Sequence, residues 1–216
     1  MADFYTPAQR KLQDEFDTRA LADRLEATVT DGVGADQTAF VESRNMFFLA
    51  TTDEFGFPSV SYKGGPAGFV RVLDRGTLVF PCYDGNGMFM SIGNVEAEAR
   101  VGMLFIDFAA PRRLRVRGTA TVVRDGPLLS SYPGAIVVIQ VAVEQVWING
   151  PRYVHRMTPA EESPYLPAED GTVRLAMWKR IDVMQDVLSA DDRAKAQAAG
   201  LISVEEYGAR VAAGEV

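Results

Sequence analysis

The sequence predicts a mainly β fold with flanking helices, the β part being an antiparallel barrel. Two observations carry this reading. Strand-like segments follow one another between residues 46 and 149, most of them joined by tight turns. Only one helical segment interrupts them, which does not suit repeated βαβ units. The barrel is expected over residues 37–156. A helical extension is expected at 1–36, and an irregular segment with short helices packing on the barrel at 157–216.

The chain opens with a capping box. Thr6 is the cap, Pro7 fits the first helical position, and Gln9 completes the box. Leu12, Phe16, Leu21 and Leu25 follow at helical spacing, and Gly32 and Gly34 end the run. A second, short helix is expected over 37–44. Residues 46–52 form a mostly apolar strand, and Asp53 to Gly56 reads as a hairpin turn. Over 58–63 the residues alternate, with Val60 and Tyr62 on one side and Ser59, Ser61 and Lys63 on the other. After the Gly64-Gly65-Pro66 break, strands are expected at 69–73 and 77–81 around the turn at Asp74-Arg75-Gly76.

Residues 88–99 look helical, with Met88, Ile92 and Val95 on one face. Another strand covers 101–108. Over 112–124, Leu114, Val116, Ala120 and Val122 oppose Arg113, Arg115, Arg117, Thr119 and Thr121. A long β-branched run at 135–149 ends at Gly150-Pro151. The barrel is expected to contain six strands. Residues 157–173 read as an irregular surface segment, and Ser189 and Ser203 read as caps of two short helices, with Asp192 and Glu206 three residues on.

Composition bounds the function. The 216 residues suit one domain with appendages, and 47% hydrophobic with 24% charged residues is ordinary for a globular chain. The net charge is −7 with no basic run, so nucleic acid is not an expected partner. An anionic ligand would have to be held by local donors against that charge. Cys82 is the single cysteine, so no internal disulfide forms and a cytoplasmic location is expected. The N-terminus lacks the basic and apolar regions of a secretory signal. The longest apolar run is interrupted at Gln140, so no membrane span is expected. With His155 the single histidine, a histidine-rich metal site and a histidine-based relay are excluded within one chain.

The loop PCYDGNG, from Pro81 to Gly87, is the most informative stretch. Glycines admit close approach of backbone N–H groups to a ligand, and a following helix start favours phosphate. A plain strand-to-helix connection also favours Gly and Asn, so both readings stand. Ser61 and Lys63 point together and suit a phosphate or a ring edge, or else form a solvated strand face. Arg113, Arg115 and Arg117 make a basic stripe, suited to an anion, a carboxylated substrate or an acidic partner, or simply to solvent. Trp147, Asn149, Arg152, Tyr153 and His155 cluster after the long strand. His155 reads as structural rather than catalytic, Cys82 as structural for want of a second cysteine, and Met88 and Phe89 as core.

The run FFLATTDEFGFPSVSYKGGPAGFVRVLDRGTLVFPCYDGNGMFMSIGNVEAEARVGMLFIDF, followed by RLRVRGTATVV, resembles the pyridoxamine 5′-phosphate oxidase-like FMN-binding family. The similarity extends over about residues 40–150. It implies a six-stranded antiparallel split barrel working as a homodimer, with FMN in two equivalent clefts at the interface. In that family the second strand and the loop after the fourth strand grip the flavin. Here these correspond to Ser61, Tyr62, Lys63 and Gly64, and to Pro81, Cys82, Tyr83, Asn86, Gly87 and Met88. Residues approaching the ring from either subunit would be Arg113, Arg115, Trp147 and Asn149. Tyr83, Trp147 and Trp178 would wall the ring.

Many members carry Arg or Lys after the loop, where this chain has Met88 and Phe89. Lys63, loop amides and the helix start would have to hold the phosphate, or a deazaflavin would be used instead of FMN. The substrate-binding tail of the true oxidase is not recognisable, so pyridoxamine-phosphate oxidation is not expected. The resemblance implies an FMN-dependent oxidoreductase acting on a small molecule. The alternatives are a flavin carrier or redox sensor without turnover, and a dimeric scaffold whose site has decayed.

Overall fold

A computed structural model describes residues 3–158 and 161–215. The chain forms two compact units, Met1–Pro159 and Ala160–Val216.

The first unit begins with α1 (Pro7–Glu15), α2 (Arg19–Glu26) and α3 (Ala35–Glu42). The expected capping box is present at Thr6 and Gln9. The single long helix expected before Gly32 is two helices. Asp17 takes up a left-handed conformation at φ 53°, which turns the chain between them. Leu12, Phe16, Leu21 and Leu25 all stand exposed.

The sheet strands are β1 (Met46–Thr52), β2 (Pro58–Gly64), β3 (Arg71–Asp74), β4 (Thr77–Tyr83), β5 (Arg100–Asp107), β6 (Arg112–Val123) and β7 (Ala135–Asn149). Helix α4 (Met90–Ala97) joins β4 to β5, and a short α5 (Gly126–Ser130) joins β6 to β7. All seven strands pair in one sheet, in the order β2-β1-β5-β6-β7-β4-β3. The strand number is therefore seven, in agreement with the seven segments picked out along the sequence and one more than the six expected of the barrel. The short β3 is hydrogen-bonded along β4 and extends the sheet by one edge strand. It begins at Arg71 rather than Phe69, because Phe69 is still held in a turn by its N–H to Pro66 O at 2.9 Å.

Every pairing is antiparallel. The sheet curls strongly. The Phe47 ring on β1 meets the Phe80 ring on β4 at 4.9 Å, although three strands separate β1 from β4 in the sheet. Phe47 also stacks on Phe105 at 5.1 Å. These three rings are fully buried, with Leu49, Leu78, Val116 and Ile139 around them. Burial of such a side chain contributes about 2–3 kcal/mol. Alternation along β6 puts Leu114, Val116 and Ala120 into this core, as the sequence requires. Gly118 makes the curl possible on β6. A Cβ there would lie 2.1 Å from Ala142 O, at the point where the β6–β7 register shifts. The edges of the sheet, β2 and β3, do not pair with each other, so the barrel is split between them.

The second unit is built on two 3₁₀ turns at Met177–Arg180 and Asp182–Met184, then α6 (Ala190–Ala199) and α7 (Val204–Ala213). Ser189 and Ser203 cap these helices through Asp192 N–H and Glu206 N–H, as expected. Met177, Ile181 and Ile202 form its small core. The buried Lys179 pairs with Asp192 at 3.0 Å.

Candidate functional site

The split of the barrel opens a cleft of about 420 Å³ between β2, the end of β4 and the start of α4. On β2 the apolar residues Val60 and Tyr62 point outward and are exposed, while Ser61 and Lys63 are half-buried. The polar side of this strand is thus the cleft side and not the solvated one. Ser61 Oγ lies 2.8 Å from Ser91 Oγ, a hydrogen bond that ties β2 to the first turn of α4. Lys63 has no ion pair among the described residues, and no other charged side chain lines the cleft.

The opposite wall is the loop after β4. Asn86 Oδ1 accepts the Met88 N–H at 3.1 Å, and Gly87 turns the chain at φ 75°. Phe89 then adopts a left-handed conformation, φ 50°, as the cap residue of α4. That is uncommon for a bulky residue and costs roughly 1–2 kcal/mol. The cap side chain supplies no acceptor, so the first-turn N–H groups of α4 lack a side-chain cap beside the cleft. The helix starts at Met90, two residues later than expected, because Gly87 and Phe89 cannot continue a helix backward at positive φ. Met88, Phe89 and Met90 are exposed and form an apolar lip on the cleft, which corrects the core assignment of Met88 and Phe89.

Burial pushes the Cys82 thiol up, against a smaller opposing effect of Lys63. Cys82 is therefore held as a neutral thiol in the cleft wall, in keeping with its structural reading. Burial likewise raises the Tyr83 phenol, with Arg71 opposing.

Ser61, Tyr62, Lys63 and Gly64 from β2 thus come together with Pro81, Cys82 and Tyr83 from β4, and with Asn86, Gly87 and Met88 from the loop. The remaining expected residues lie elsewhere in the subunit. Arg115, Trp147 and Asn149 line a second cleft of about 350 Å³, with Phe4 and Tyr5 of the N-terminal arm. Arg113 lines neither cleft and donates to Gly150 O at 3.1 Å from Nε. Trp178 belongs to the second unit. His155 is exposed and lines neither cleft. Sequence reasoning missed Ser91, Ile92 and Ile136 in the first cleft. Ser91, a hydroxyl in the first turn of the helix that follows the loop, was the available signal. No group of three or more metal-ligating side chains is present among the described residues.

A split antiparallel barrel with a polar cleft at its opening defines the class of the fold. A profile described as pyridoxamine 5′-phosphate oxidase matches residues 34–163, and the chain belongs to that family. Comparison with curated proteins finds no match. Among solved structures, HupZ from Group A Streptococcus is 16% identical with a TM-score of 0.47, covering 58% of this chain and 99% of its own. An FMN-binding protein from Syntrophomonas wolfei is 7% identical with a TM-score of 0.43, covering 65% and 96%. An F420 reductase is 24% identical with a TM-score of 0.40, covering 50% and 93%.

Proposed function

We propose that this protein is an FMN-dependent oxidoreductase acting on a small molecule, with the flavin held in the first cleft. The observation that carries the reading is the composition of that cleft. Lys63, which has no ion pair among the described residues, faces a Gly-Asn-Gly loop and a helix start without a side-chain cap, beside an apolar lip of Met88, Phe89 and Met90. Lys63 and the N–H groups of Gly85, Asn86 and Gly87 suit a phosphate. The lip, Ile136 and Tyr83 suit a planar ring, and the size lies within the range of small-molecule sites. When bound, FMN supplies the redox chemistry. The residues of the chain bind it, orient it and exclude water. Family membership supports the same reading.

A second reading is a flavin carrier or redox sensor without turnover. Among the described residues no carboxylate or imidazole lines the cleft to act as an acid or base, which favours it. We further propose a homodimer, in which a partner covers the exposed Val60 and Tyr62 beside the cleft.

Absorbance spectra of the purified protein, before and after incubation with FMN and desalting, test the proposal. A flavin band carried through desalting is the expected result. A flat spectrum, with uptake of a deazaflavin in its place, would replace FMN as the cofactor. Reduction of the flavin-loaded protein by NADH or NADPH, followed by reoxidation by an added acceptor, separates enzyme from carrier.

A further inference from the structure

The outer face of the sheet carries an apolar patch at each end. The strand registers place Tyr62 of β2, Phe48 of β1, Leu104 of β5, Arg115 of β6 and Trp147 of β7 in one row. Residues paired in this way share a face of the sheet. At the β2 end of the row, Val60 and Tyr62 stand exposed. At the β7 end stands the N-terminal arm. The Phe4 ring meets Trp147 edge-on at 5.2 Å, and Arg117 Nη2 donates to Phe4 O at 3.2 Å. Thr30 and Val146 exchange backbone hydrogen bonds of 3.0 and 2.8 Å. Arg10 of α1 pairs with Asp23 at 2.6 Å and Glu26 at 2.5 Å, locking α1 to α2.

The arm is thus pinned to β7, yet its large apolar side chains are not used to pin it. Leu12 and Phe16 at α1, and Leu21 and Leu25 of α2, are each more than half exposed. Each pair is four residues apart and so lies on one side of its helix. An apolar patch of this kind marks a surface that another molecule covers. The family match begins at residue 34, so the arm precedes the shared barrel.

We propose that the arm is a clasp on a second copy of this chain, its apolar side chains covering the partner's Val60 and Tyr62. The inference rests on the proposed homodimer and assigns the arm its part in it. The row spans five strands with β5 at its centre. Two such faces packed about a two-fold axis along β5 set β7 and its arm opposite the partner's β2. An axis along the row would instead lay Arg113, Arg115 and Arg117 on the same three residues of the partner, which like charge opposes. Each subunit then offers one patch to the other's complement, twice over. Phe16 and Tyr62 are 70 and 64% exposed. Aromatic side chains bury about 150–250 Å² each, so these two alone supply roughly 200–300 Å² of the about 800 Å² that each partner gives to a stable interface. Tyr62 also lines the first cleft, so the partner's arm would complete the rim of that cleft.

Sedimentation of the full chain over a dilution series gives the dissociation constant of the dimer. Leu21→Glu is expected to raise it at least about tenfold, because each arm would carry a carboxylate against apolar residues. Leu21 lies in the first turn of α2, where an acidic side chain suits the helix end, so the fold should be kept, and circular dichroism checks it. Cross-linking reads the contact itself. The full chain carrying both Phe16→Cys and Tyr62→Cys is treated with a short bis-maleimide and run on a denaturing gel. A covalent dimer is expected from the double variant and from neither single variant. Cys82 is buried, and the unaltered chain controls for it. A dimer unmoved by Leu21→Glu, a double variant that gives no covalent dimer, or a single variant that gives it as readily would overturn the clasp and leave the homodimer standing. An unaltered chain that sediments as a monomer throughout would sink both.

Discussion

Lys63 is the residue on which the proposed flavin cleft depends, because among the described residues it brings the one full positive charge to that cleft in an acidic chain. Charge-assisted contacts to phosphate are worth about 1.5–3 kcal/mol. Lys63→Met should therefore weaken FMN binding by about tenfold or more, read by titrating flavin fluorescence against the protein, with the thermal midpoint unchanged. Asp107 is a different case, a carboxylate that serves stability. Its Oδ1 accepts the Ala110 and Ala109 N–H groups, both at 3.0 Å, and Oδ2 pairs with Arg44 at 2.9 Å. The Ala110 N–H foremost, with Arg44 beside it, holds the Asp107 carboxyl below its ordinary 3.8. With the folded pKa below the unfolded one, the ionised group stabilises the fold above the unfolded value. That contribution disappears as the pH falls through the folded pKa. Asp107→Asn should lower stability at neutral pH by about 1 kcal/mol and flatten the acid limb of stability against pH, as followed by urea unfolding.

At the scale of the element, the long β6–β7 pair and the α4 entrance decide where the cleft opens. Gly118 lets β7 cross close to β6 at a register shift, with the Ala142 carbonyl where a side chain would stand. Gly118→Ala should destabilise the protein by about 3 kcal/mol in denaturant unfolding, because the obstruction is backbone and cannot swing aside. Phe89 is the opposite case, a bulky residue in a conformation that glycine adopts freely. Phe89→Gly should leave the thermal midpoint unchanged or slightly raised, whereas Met90→Gly, inside the helix, should cost about 1 kcal/mol. Most elements were legible in the sequence because their signals are local. Alternation along β6, the caps at Thr6, Ser189 and Ser203, and the turn residues around Gly56 and Gly76 each act over a few positions. The helix break at Asp17 and the late start of α4 at Met90 were not legible. Each involves a residue at positive φ that is not a glycine, Asp17 in the first case and Phe89 beside Gly87 in the second, and composition does not announce such a residue.

For the whole molecule, the proposed homodimer predicts that sedimentation at micromolar concentration gives about twice the chain mass of 23.6 kDa. A monomer that still retains FMN would leave the cleft complete in a single subunit and would overturn the dimer. The sequence by itself determined the β character, the antiparallel hairpins, the strand-to-helix loop at residues 81–87 and the family resemblance. All of these rest on periodicity, turn chemistry and motif within short windows. Only the tertiary structure decided that Ser61 and Lys63 face a cleft and not solvent, because that depends on β2 meeting β4 and α4 across the curled sheet. Within one subunit it also places Arg115, Trp147 and Asn149 in a different cleft from Ser61 and Lys63, beside Phe4 and Tyr5. Contacts between residues more than a hundred positions apart follow from how the long strands coil and where the arm is pinned. Neither leaves a trace in the local pattern of the chain.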